Sequence, residues 1–516
     1  RDVQRLYQLL IVHSLALRIT PDALKRIPIA IMGKPDGGIR YLSLAEEMWK
    51  MLDAMRLHPL KAAIRSNPPG SILSEDTVAY QDGKSCADIY GPLALTLADS
   101  RRSQATAERN RPNDSTGTRH PAPEPDGTPQ GGTQEPAMTS DRPRETGAMY
   151  AAAISGDYMK FFDVICPLLL SAIMAEMGVP RMAREGFAAL YMQLKHCVLS
   201  PLGLTRWFKR KRGLPQGSRG APSYSNIFLD PMARLKRTIT GYTFAHGATI
   251  HGGNYCDDFI NYLQNRTEAG ITADIVAFTA RTSNYCTTFG LGLKVTAFFT
   301  ITSFEVKDDF PILQVTFIDD RGRKTTATLP APSGGHKSEK IVGIRAMWNG
   351  TNEVQSQTQT SLIMRGLTGL HNIGASPSEY QATVAAVLGS IVRYGAAVTG
   401  TCVKRLFDWD TLLATAVVRG ALRAAATVTP QFVFAASPGM NMVPFTTGYV
   451  AQTARDLLMA LANTSTSTGR LWLAELNCLL LARRHARSPV ARTISPLTTC
   501  GYFLRDSTLP LHTRTL

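Results

Sequence analysis

Hydrophobic residues recur at helical spacing in two segments of the first half of the chain. Ser43-Leu-Ala-Glu46 has the form of a capping box, and apolar residues follow every three or four positions, at Leu44, Met48, Met51, Leu52 and Met55. A second run with this spacing begins at Asp163 and ends at Gly178-Val-Pro180. Each pattern predicts an amphipathic helix.

Strand patterns dominate the middle of the chain. β-Branched and aromatic residues prevail between turn residues from Thr249 to Leu263 and from Phe298 to Leu329, which predicts strands. Beyond about Asn349 the spacing is helical again, and Ser376-Pro-Ser-Glu379 combines an N-cap, a Pro at the first helical position and a capping Glu. The predicted fold class is therefore α+β, with a mostly helical C-terminal domain.

Residues from about Arg101 to Gly147 have a different composition. They contain almost no apolar side chains and many Pro, Gly, Thr and charged residues. Such a segment cannot form a packed core, so we expect a disordered insertion between two patterned regions.

The chain is strongly basic, with a formal net charge of +16 and a pI of about 9.6. This charge favours a polyanionic partner, and it fits nucleic acid, an anionic membrane or ribosomal association equally well. The eight cysteines include no Cys-x-x-Cys pair, so we expect reduced thiols in an intracellular protein. The sequence has no signal peptide or membrane-spanning run, and without an initial Met it reads as a fragment of a larger protein.

Two adjacent acids interrupt an apolar, strand-like run at Tyr255-Cys-Asp257-Asp258. Buried carboxylates are costly unless they are paired or bind a metal, and no basic residue lies beside them in sequence. A divalent metal site is the first hypothesis. A Tyr-x-Asp-Asp tetrapeptide arises by chance in roughly a few per cent of chains of this length, so its meaning depends on other motifs.

A third acid, Asp157, lies where a short predicted strand runs toward the helix that starts near Asp163. Two-metal phosphoryl transfer requires carboxylates from separate elements that converge on the ions. Asp157, Asp257 and Asp258 together meet that requirement. Taken alone, Asp157 is explained more simply as an acid near a helix N-terminus, beside Lys160.

The segment between these acids carries Leu214-Pro-Gln-Gly217, a Pro five residues after the Gly, and the run Asn226-Ile-Phe-Leu229. It resembles the template- and nucleotide-binding motif of reverse transcriptases. Asp157-x-x-x-Phe-Phe-Asp163 before it and Tyr-x-Asp-Asp after it complete the ordered trio of that family. Phe-Phe-Asp and the Asn run resemble the enzymes of non-LTR retroelements and group II introns more than the retroviral ones.

Flanking segments extend the resemblance over Ile27 to Ala346, apart from the insertion. They resemble, in order, the fingers hairpin (Ile31–Leu44), the segment before the palm (Gln81–Ile89), a further palm motif (Phe289–Leu293) and, loosely, the primer grip (Lys340–Gly343).

The resemblance implies a right-hand polymerase with fingers, a palm that holds an antiparallel sheet, and a helical thumb. It assigns 1–100 to the fingers and the start of the palm, 101–147 to the insertion, 148–348 to the palm with part of the fingers, and 349–516 to the thumb and C-terminal extension. The implied activity is that of an RNA-directed DNA polymerase, which extends a primer 3′-hydroxyl with dNTPs.

The resemblance also implies the catalytic residues. Asp157, Asp257 and Asp258 would hold two Mg²⁺ ions, with Mn²⁺ as an alternative metal. Phe162 falls where the family places the bulky side chain that blocks a ribose 2′-hydroxyl, which makes DNA the product. Tyr255 counts among the implied substrate-binding residues.

The other implied substrate-binding residues surround the incoming nucleotide. Gln216 and Gly217 lie along the template base and the nucleotide, and Lys34 and Arg40 neutralise its phosphates. The alternative for Lys34 and Arg40 is an ordinary solvated hairpin.

A basic and aromatic segment is the candidate surface for the nucleic acid backbone. Its members are Arg206, Trp207, Lys209, Arg210, Lys211 and Arg212. The alternative is a solvated run of charges. The expected partners are an RNA template, a DNA or RNA primer and dNTPs, without a membrane.

Three positions depart from the family pattern. Phe161 stands where a small residue is common, Ala221 replaces a Ser, and the Lys expected a few residues after Leu293 is missing, with Lys294 as its candidate substitute. Because all three acids are present, we expect activity.

Two other functions remain as alternatives. One is an RNA-dependent RNA polymerase, against which Phe162 and the Leu-Pro-Gln-Gly motif argue. The other is an inactive nucleic-acid-binding remnant of a retroelement, which the missing Lys favours. In every case the protein is expected inside the cell, and in the nucleus if its host is a eukaryote.

Overall fold

The computed structural model describes residues 2–17, 20–33, 39–67, 71–81, 84, 87–109, 149–244, 246–334, 339–341, 344–346, 353–396, 401–422, 433–435, 440–462, 464 and 466–482. Up to residue 346 its helices are α1 (Asp2–Ala16), α2 (Glu47–Ser66), α3 (Ala87–Arg109), α4 (Phe161–Val164), α5 (Pro167–Glu176), α6 (Arg181–Tyr191), α7 (Ala221–Arg237) and α8 (Glu268–Phe289).

The strands between these helices pair mostly antiparallel, which confirms the α+β class. They are β1 (Arg26–Gly33), β2 (Ile39–Ser43), β3 (Tyr150–Met159), β4 (Lys195–Ser200), β5 (Gly203–Leu204), β6 (Phe208–Lys209), β7 (Tyr242–Thr243), β8 (Thr249–Ile250), β9 (Gly252–Tyr255), β10 (Asp258–Asn265), β11 (Gly292–Leu293), β12 (Phe299–Thr302), β13 (Gln314–Ile318), β14 (Lys324–Thr328), β15 (Glu339–Ile341) and β16 (Ile344–Ala346).

The first sheet consists of β1, β2, β4, β5 and β6. β1 pairs antiparallel with β2 and parallel with β4, and β5 and β6 both pair with β4. Along β1, Ile27 and Ile29 are buried and alternate with more exposed neighbours, as expected for a sheet with one face on the core. The other face of this sheet is therefore available to solvent.

The second sheet has the strand order β11, β3, β10, β9, and β12 also pairs with β3. Its central strand carries Ala151, Ala152 and Ala153, all buried, because both faces of the sheet are covered. One face packs against side chains of α7 and α8, including Phe228 and Phe278. The opposite face packs against α3 and two C-terminal helices.

The described part of the chain after residue 349 is helical, as predicted. Its helices are α9 (Glu353–Asn372), α10 (Pro377–Thr383), α11 (Gly389–Arg393), Val403–Ala416, Phe445–Ala462 and Ser467–Ala482. The capping box of α10 is confirmed: Ser376 N donates to the Glu379 carboxylate (2.7 Å), and Glu379 N donates to Ser376 Oγ (3.4 Å).

The last two helices return to the back of the second sheet. Trp472 is buried in the same cluster as Ala153 and Ile260, and a Cβ added to Gly91 of α3 would lie 2.7 Å from its indole Nε1. The C-terminal helices therefore contribute to two cores: α9 to Val403–Ala416 and the start of Phe445–Ala462 form one helical core, and the rest of Phe445–Ala462 packs with Ser467–Ala482 on the sheet.

Three local predictions differ from the structure. Ser43 belongs to β2 and makes no cap, because α2 begins only at Glu47. The helix predicted from Asp163 begins at Pro167, after the single turn of α4. α3 continues to Arg109, past the predicted boundary at residue 101, and residues 110–147 of the predicted insertion lie outside the described residues.

Candidate active site

Strand pairing in the second sheet places two of the predicted acids opposite each other. Asp258 of β10 is the register partner of Asp157 of β3. Side chains paired directly across antiparallel strands have Cβ atoms about 5 Å apart and project from the same face. The two carboxylates therefore share one small region at the end of the sheet.

The third acid lies on a tight turn. Because Tyr255 pairs with Asp258, Cys256 and Asp257 form the two-residue turn between β9 and β10. Cys256 has a positive φ of 55°, a left-handed conformation common in such hairpins. Asp257 O accepts a hydrogen bond from Tyr158 N (3.0 Å), so the turn is attached to β3 next to Asp157.

The surroundings of Asp258 disfavour the charged form of its carboxyl group. Burial, together with the negative charges of Asp257 and Asp157, raises the pKa of Asp258 to about 7, against the opposing effect of Lys294 and Lys340. Lys294 Nζ lies 3.7 Å from Asp157 Oδ2, and Lys294 N donates to Asp157 O (2.9 Å). Lys294, the candidate substitute for the missing motif Lys, thus lies beside the acids.

The donor set fits a divalent cation, since carboxylate oxygens are ligands that Mg²⁺ prefers. Among the residues that the structure describes, however, no three His, Cys, Asp or Glu side chains are grouped closely enough to hold a metal ion. The structure brings Asp157 and Asp258 together and leaves Asp257 on the turn. The assignment of all three acids as metal ligands stays a prediction.

Phe162 lies on the single turn that follows β3. Lys160 before it adopts a left-handed conformation (φ 49°), which turns the chain sharply into α4. Phe162 is partly buried, whereas Phe161 is only 2% exposed and packs in the core. The large residue at 161 is therefore accommodated as a core side chain, and Phe162 remains partly accessible to solvent.

The Leu-Pro-Gln-Gly segment is hydrogen bonded to two other elements. Leu214 N donates to Phe162 O (2.7 Å), and Ser43 N of β2 donates to Gln216 O (3.0 Å). Gly217 has a φ of 99°, and a Cβ there would lie 3.5 Å from Leu42 Cδ1. This geometry places Gln216 and Gly217 between the first sheet and the Phe162 turn.

Asp53 holds the end of this segment and was missed by sequence reasoning. It is fully buried and accepts hydrogen bonds from Tyr191 Oη (2.6 Å) and Gly220 N (2.7 Å). Burial raises its pKa to about 6, although these hydrogen bonds oppose the shift. The only signal in the sequence is that Asp53 is a single acid among the apolar positions of α2. That signal does not predict Tyr191 and Gly220 as its hydrogen-bond partners.

Of the two predicted phosphate-binding residues, only Arg40 lies among the described residues. Lys34 lies outside the described residues. Arg40 is exposed on β2 opposite Met32, close to the hairpin turn. Tyr255, at the end of β9, stacks on Tyr80 with ring centres 6.4 Å apart, and sequence reasoning had not singled out Tyr80.

The basic segment 206–212 divides into two groups. All of its predicted members except Arg210 are exposed, namely Arg206, Trp207, Lys209, Lys211 and Arg212. Arg210 Nη2 instead pairs with Asp163 Oδ1 (2.9 Å), and Arg212 Nη1 donates to Gly290 O (3.4 Å). Arg210 therefore forms an internal ion pair, and the assignment of the whole segment to nucleic acid contact stays a prediction.

Further cations lie beside Lys209 on the neighbouring strands of the first sheet. Lys209 pairs with Lys195, and Lys195 pairs with Arg26, so three cations line up across three strands. Like charges in directly opposed positions are destabilising. The Arg26 guanidinium also lies 6.0 Å from the centre of the Trp207 ring. We call Arg26, Lys195, Trp207 and Lys209 the basic face; it suits a polyanion.

Comparison with known families assigns the domain. The family model described as reverse transcriptase (RNA-dependent DNA polymerase) matches residues 32–294, just over half of the chain. The chain belongs to the reverse transcriptase family. Its reverse transcriptase domain contains the opposed acids, the Phe162 turn and the Leu-Pro-Gln-Gly segment, and its fold is that of a right-hand polymerase.

Solved structures similar to the reverse transcriptase include telomerases. Apo telomerase from Candida tropicalis is 10% identical with a TM-score of 0.37, covering 91% of this chain and 74% of that one. Telomerase from Candida albicans in complex with a TWJ fragment of telomeric RNA is 9% identical with a TM-score of 0.35, covering 88% and 66%.

A third similar structure is apo telomerase from Candida tropicalis truncated from its C-terminal domain, 11% identical with a TM-score of 0.35. The match covers 64% of this chain and 54% of that one, so the chain spans about half the length of that protein. Comparison with curated protein sequences gives no match. None of these comparisons distinguishes a lineage within the reverse transcriptase family.

Across the described ranges, no helix has both the length and the apolar character needed to span a membrane.

Proposed function

We propose that this reverse transcriptase extends a primer 3′-hydroxyl with dNTPs along an RNA template. The observation that carries the proposal is the opposition of Asp157 and Asp258 across β3 and β10. Hydrogen bonds from Leu214 N to Phe162 O and from Ser43 N of β2 to Gln216 O support the proposal, because they connect the Leu-Pro-Gln-Gly segment to the Phe162 turn and to the first sheet.

The acids are proposed to hold Mg²⁺. When bound, two such ions would activate the attacking oxygen and stabilise the leaving group of phosphoryl transfer. Asp157 and Asp258 supply the charge for this, and Asp257 is proposed as a third ligand. Lys294 supplies a cation beside Asp157, and we assign to it the role of the Lys that is missing from the family motif.

The choice of deoxyribonucleotides is attributed to Phe162. Its backbone is fixed by the left-handed Lys160 before it and by the hydrogen bond from Leu214 N. A bulky ring at a fixed position can exclude a 2′-hydroxyl by sterics alone. Gln216 and Gly217 would then lie along the base pair being formed, and Arg40, with Lys34, would meet the phosphates.

The basic face is proposed to contact the nucleic acid backbone. Arg26, Lys195 and Lys209 provide three cations in one row, and the Trp207 ring can stack on a base. Arg206 and Lys211 are exposed near this row and belong to the same proposed surface.

The enzyme is further proposed to serve the mobility of a retroelement of the non-LTR or group II intron type. The support is the Asp157-x-x-x-Phe-Phe-Asp163 motif and the Asn226 run. Its template would be RNA and its primer DNA or RNA. On this proposal the protein works inside the cell, in the nucleus if the host is a eukaryote.

A primer-extension assay tests the proposed function. The chain is supplied with an RNA template, an annealed primer, Mg²⁺, and either dNTPs or rNTPs. The proposal expects Mg²⁺-dependent extension with dNTPs and little with rNTPs. Preference for rNTPs would identify an RNA polymerase, and no extension with either would favour an inactive binding remnant.

A further inference from the structure

Asp163 joins the Phe162 turn to the Leu-Pro-Gln-Gly segment through both of its carboxylate oxygens. Oδ1 accepts a hydrogen bond from Arg210 Nη2 (2.9 Å), and Oδ2 accepts one from Gln216 Nε2 (3.0 Å). The side chains of Asp163 and Arg210 are 13% and 18% exposed. The three residues thus form a largely buried cluster, which we call the Asp163 bridge.

The backbone around the Asp163 bridge is shaped to permit it. Gly213 N donates to Ile165 O (2.7 Å), which holds the segment close to the α4 turn. Gly213 has a φ of 103°, and a Cβ there would clash with the Arg210 guanidinium. A residue other than Gly would therefore displace Arg210 from Asp163.

The chemistry of the bridge fixes the orientation of the Gln216 amide. An ionised carboxylate can only accept hydrogen bonds, so it must face the NH₂ end of the amide. The carbonyl end, Oε1, is then turned away from Asp163. The Arg210 guanidinium balances the negative charge of the Asp163 carboxylate, and Ser43 N donates to Gln216 O (3.0 Å), which holds the Gln216 backbone.

We infer that Asp163 is a positioning residue, which holds the Gln216 carboxamide in one orientation for the incoming nucleotide, with Arg210 as its counter-ion. This inference rests on the proposed function, because it assumes that Gln216 contacts the nucleotide. It gives the last acid of the Phe-Phe-Asp motif a task separate from metal binding. A purely structural ion pair would need only Arg210 and would leave nucleotide affinity unchanged.

The test is a double-mutant cycle in primer extension. Asp163→Asn keeps the size of the side chain. It allows the Gln216 amide to rotate by about 180°, and it leaves Arg210 without its anionic partner. We expect KM for dNTP to rise about three- to tenfold, the value of about one hydrogen bond, with kcat changed less than about twofold. In a Gln216→Ala background, Asp163→Asn should add no further rise in KM.

The control is Asp319→Asn, because Asp319 is also mostly buried and pairs with an arginine, Arg323, at 3.0 Å. It should leave KM unchanged. Additive effects of Asp163→Asn and Gln216→Ala, or an unchanged KM in Asp163→Asn while the unsubstituted chain extends primers, would overturn the inference and leave the proposed function standing.

A binding measurement distinguishes a failure of the Asp163 inference from a failure of the proposed function. If the unsubstituted chain makes no product, the proposed function fails, and the same cycle is measured as the Kd of dNTP on a primer–template by calorimetry. A non-additive loss of affinity would still support the Asp163 bridge. Equal affinity in all four chains, or no dNTP binding by any of them, would overturn it.

Discussion

Lys236 lies inside the protein with its Nζ 3.5 Å from the centre of the Phe259 ring, and Phe259 directly follows Asp258. The side chain is fully buried, and its Nζ has no hydrogen-bond partner among the described residues. Burial lowers the pKa of Lys236 to about 7. The strand that carries Asp258 therefore packs, through Phe259, against a buried amine whose charge changes near neutral pH.

Replacing this amine should stabilise the fold. Burying an unpaired ammonium costs several kcal/mol, whereas an interaction with aromatic rings returns about 2 kcal/mol. Lys236→Met should therefore raise the free energy of unfolding by about 1 kcal/mol or more at pH 6, as measured by urea denaturation. A loss of stability would show that the ring contacts outweigh the burial of charge.

The advantage of Lys236→Met should also depend on pH. Below pH 7 the amine is charged in both the folded and unfolded chains, so the cost of burial is fully present. Between the folded pKa of about 7 and the ordinary value of 10.5, only the unfolded chain holds the proton, so the unsubstituted protein gains stability as pH rises. The difference between the two proteins should shrink from pH 7 to pH 10; a constant difference would contradict it.

Asp53→Ala should loosen the segment that presents Gln216 and Gly217. The substitution leaves Tyr191 Oη and Gly220 N without their acceptor inside the core. We expect a loss of about 2 to 4 kcal/mol in unfolding free energy and a higher KM for dNTP. Chemical denaturation and steady-state kinetics provide the two readings, and an unchanged stability would exclude this anchoring role.

The two neighbouring phenylalanines should respond differently to truncation. Phe162→Ala should raise the ratio of rNTP to dNTP incorporation by at least about tenfold, because the ring that excludes the 2′-hydroxyl is removed. Phe161→Ala should mainly destabilise the fold, by about 3 to 5 kcal/mol, because that ring is in the core. A change in sugar selectivity from Phe161→Ala alone would reverse the assignment.

Lys209 and Arg210 are adjacent in sequence but should differ in their effect on RNA binding. Lys209→Ala should lower affinity for single-stranded RNA and reduce the salt dependence by about one counterion, since Lys209 belongs to the basic face. Arg210→Ala should instead lower stability, because it leaves Asp163 unpaired. RNA affinity, measured by fluorescence anisotropy at several salt concentrations, distinguishes the two variants. If the affinity of both variants depended equally on salt, the difference in role between Lys209 and Arg210 would be refuted.

The sequence was sufficient for features that depend on local patterns. The strands around the Tyr-x-Asp-Asp turn, the helical C-terminal region and the capping box at Ser376 follow from spacing alone, and the order of three motifs indicated the family. Asp53 and the division between Lys209 and Arg210 were not predictable. Their roles depend on partners more than 40 residues away in sequence, such as Gly220 and Asp163, and on strand register.

Ser43 illustrates the same limit at short range. The capping-box pattern was present, but pairing with β1 extended β2 through Ser43 and used its backbone N–H for Gln216 O. The local hydrogen bonds of the expected cap at Ser43 do not form. Ser43 N instead donates to Gln216 O, a residue that comes close only in the folded protein.

The most direct test of the central claim is the rate of single-nucleotide addition to a primer on an RNA template, measured for the unsubstituted chain, Asp258→Asn and Asp308→Asn. Asp308 is exposed and belongs to none of the strands or turns that carry the acids, so its substitution is a control with the same change in charge. We predict Mg²⁺-dependent dNTP addition by the unsubstituted chain and Asp308→Asn, and a loss of about 10²-fold or more in Asp258→Asn. Equal rates for all three chains would contradict catalysis by the opposed acids.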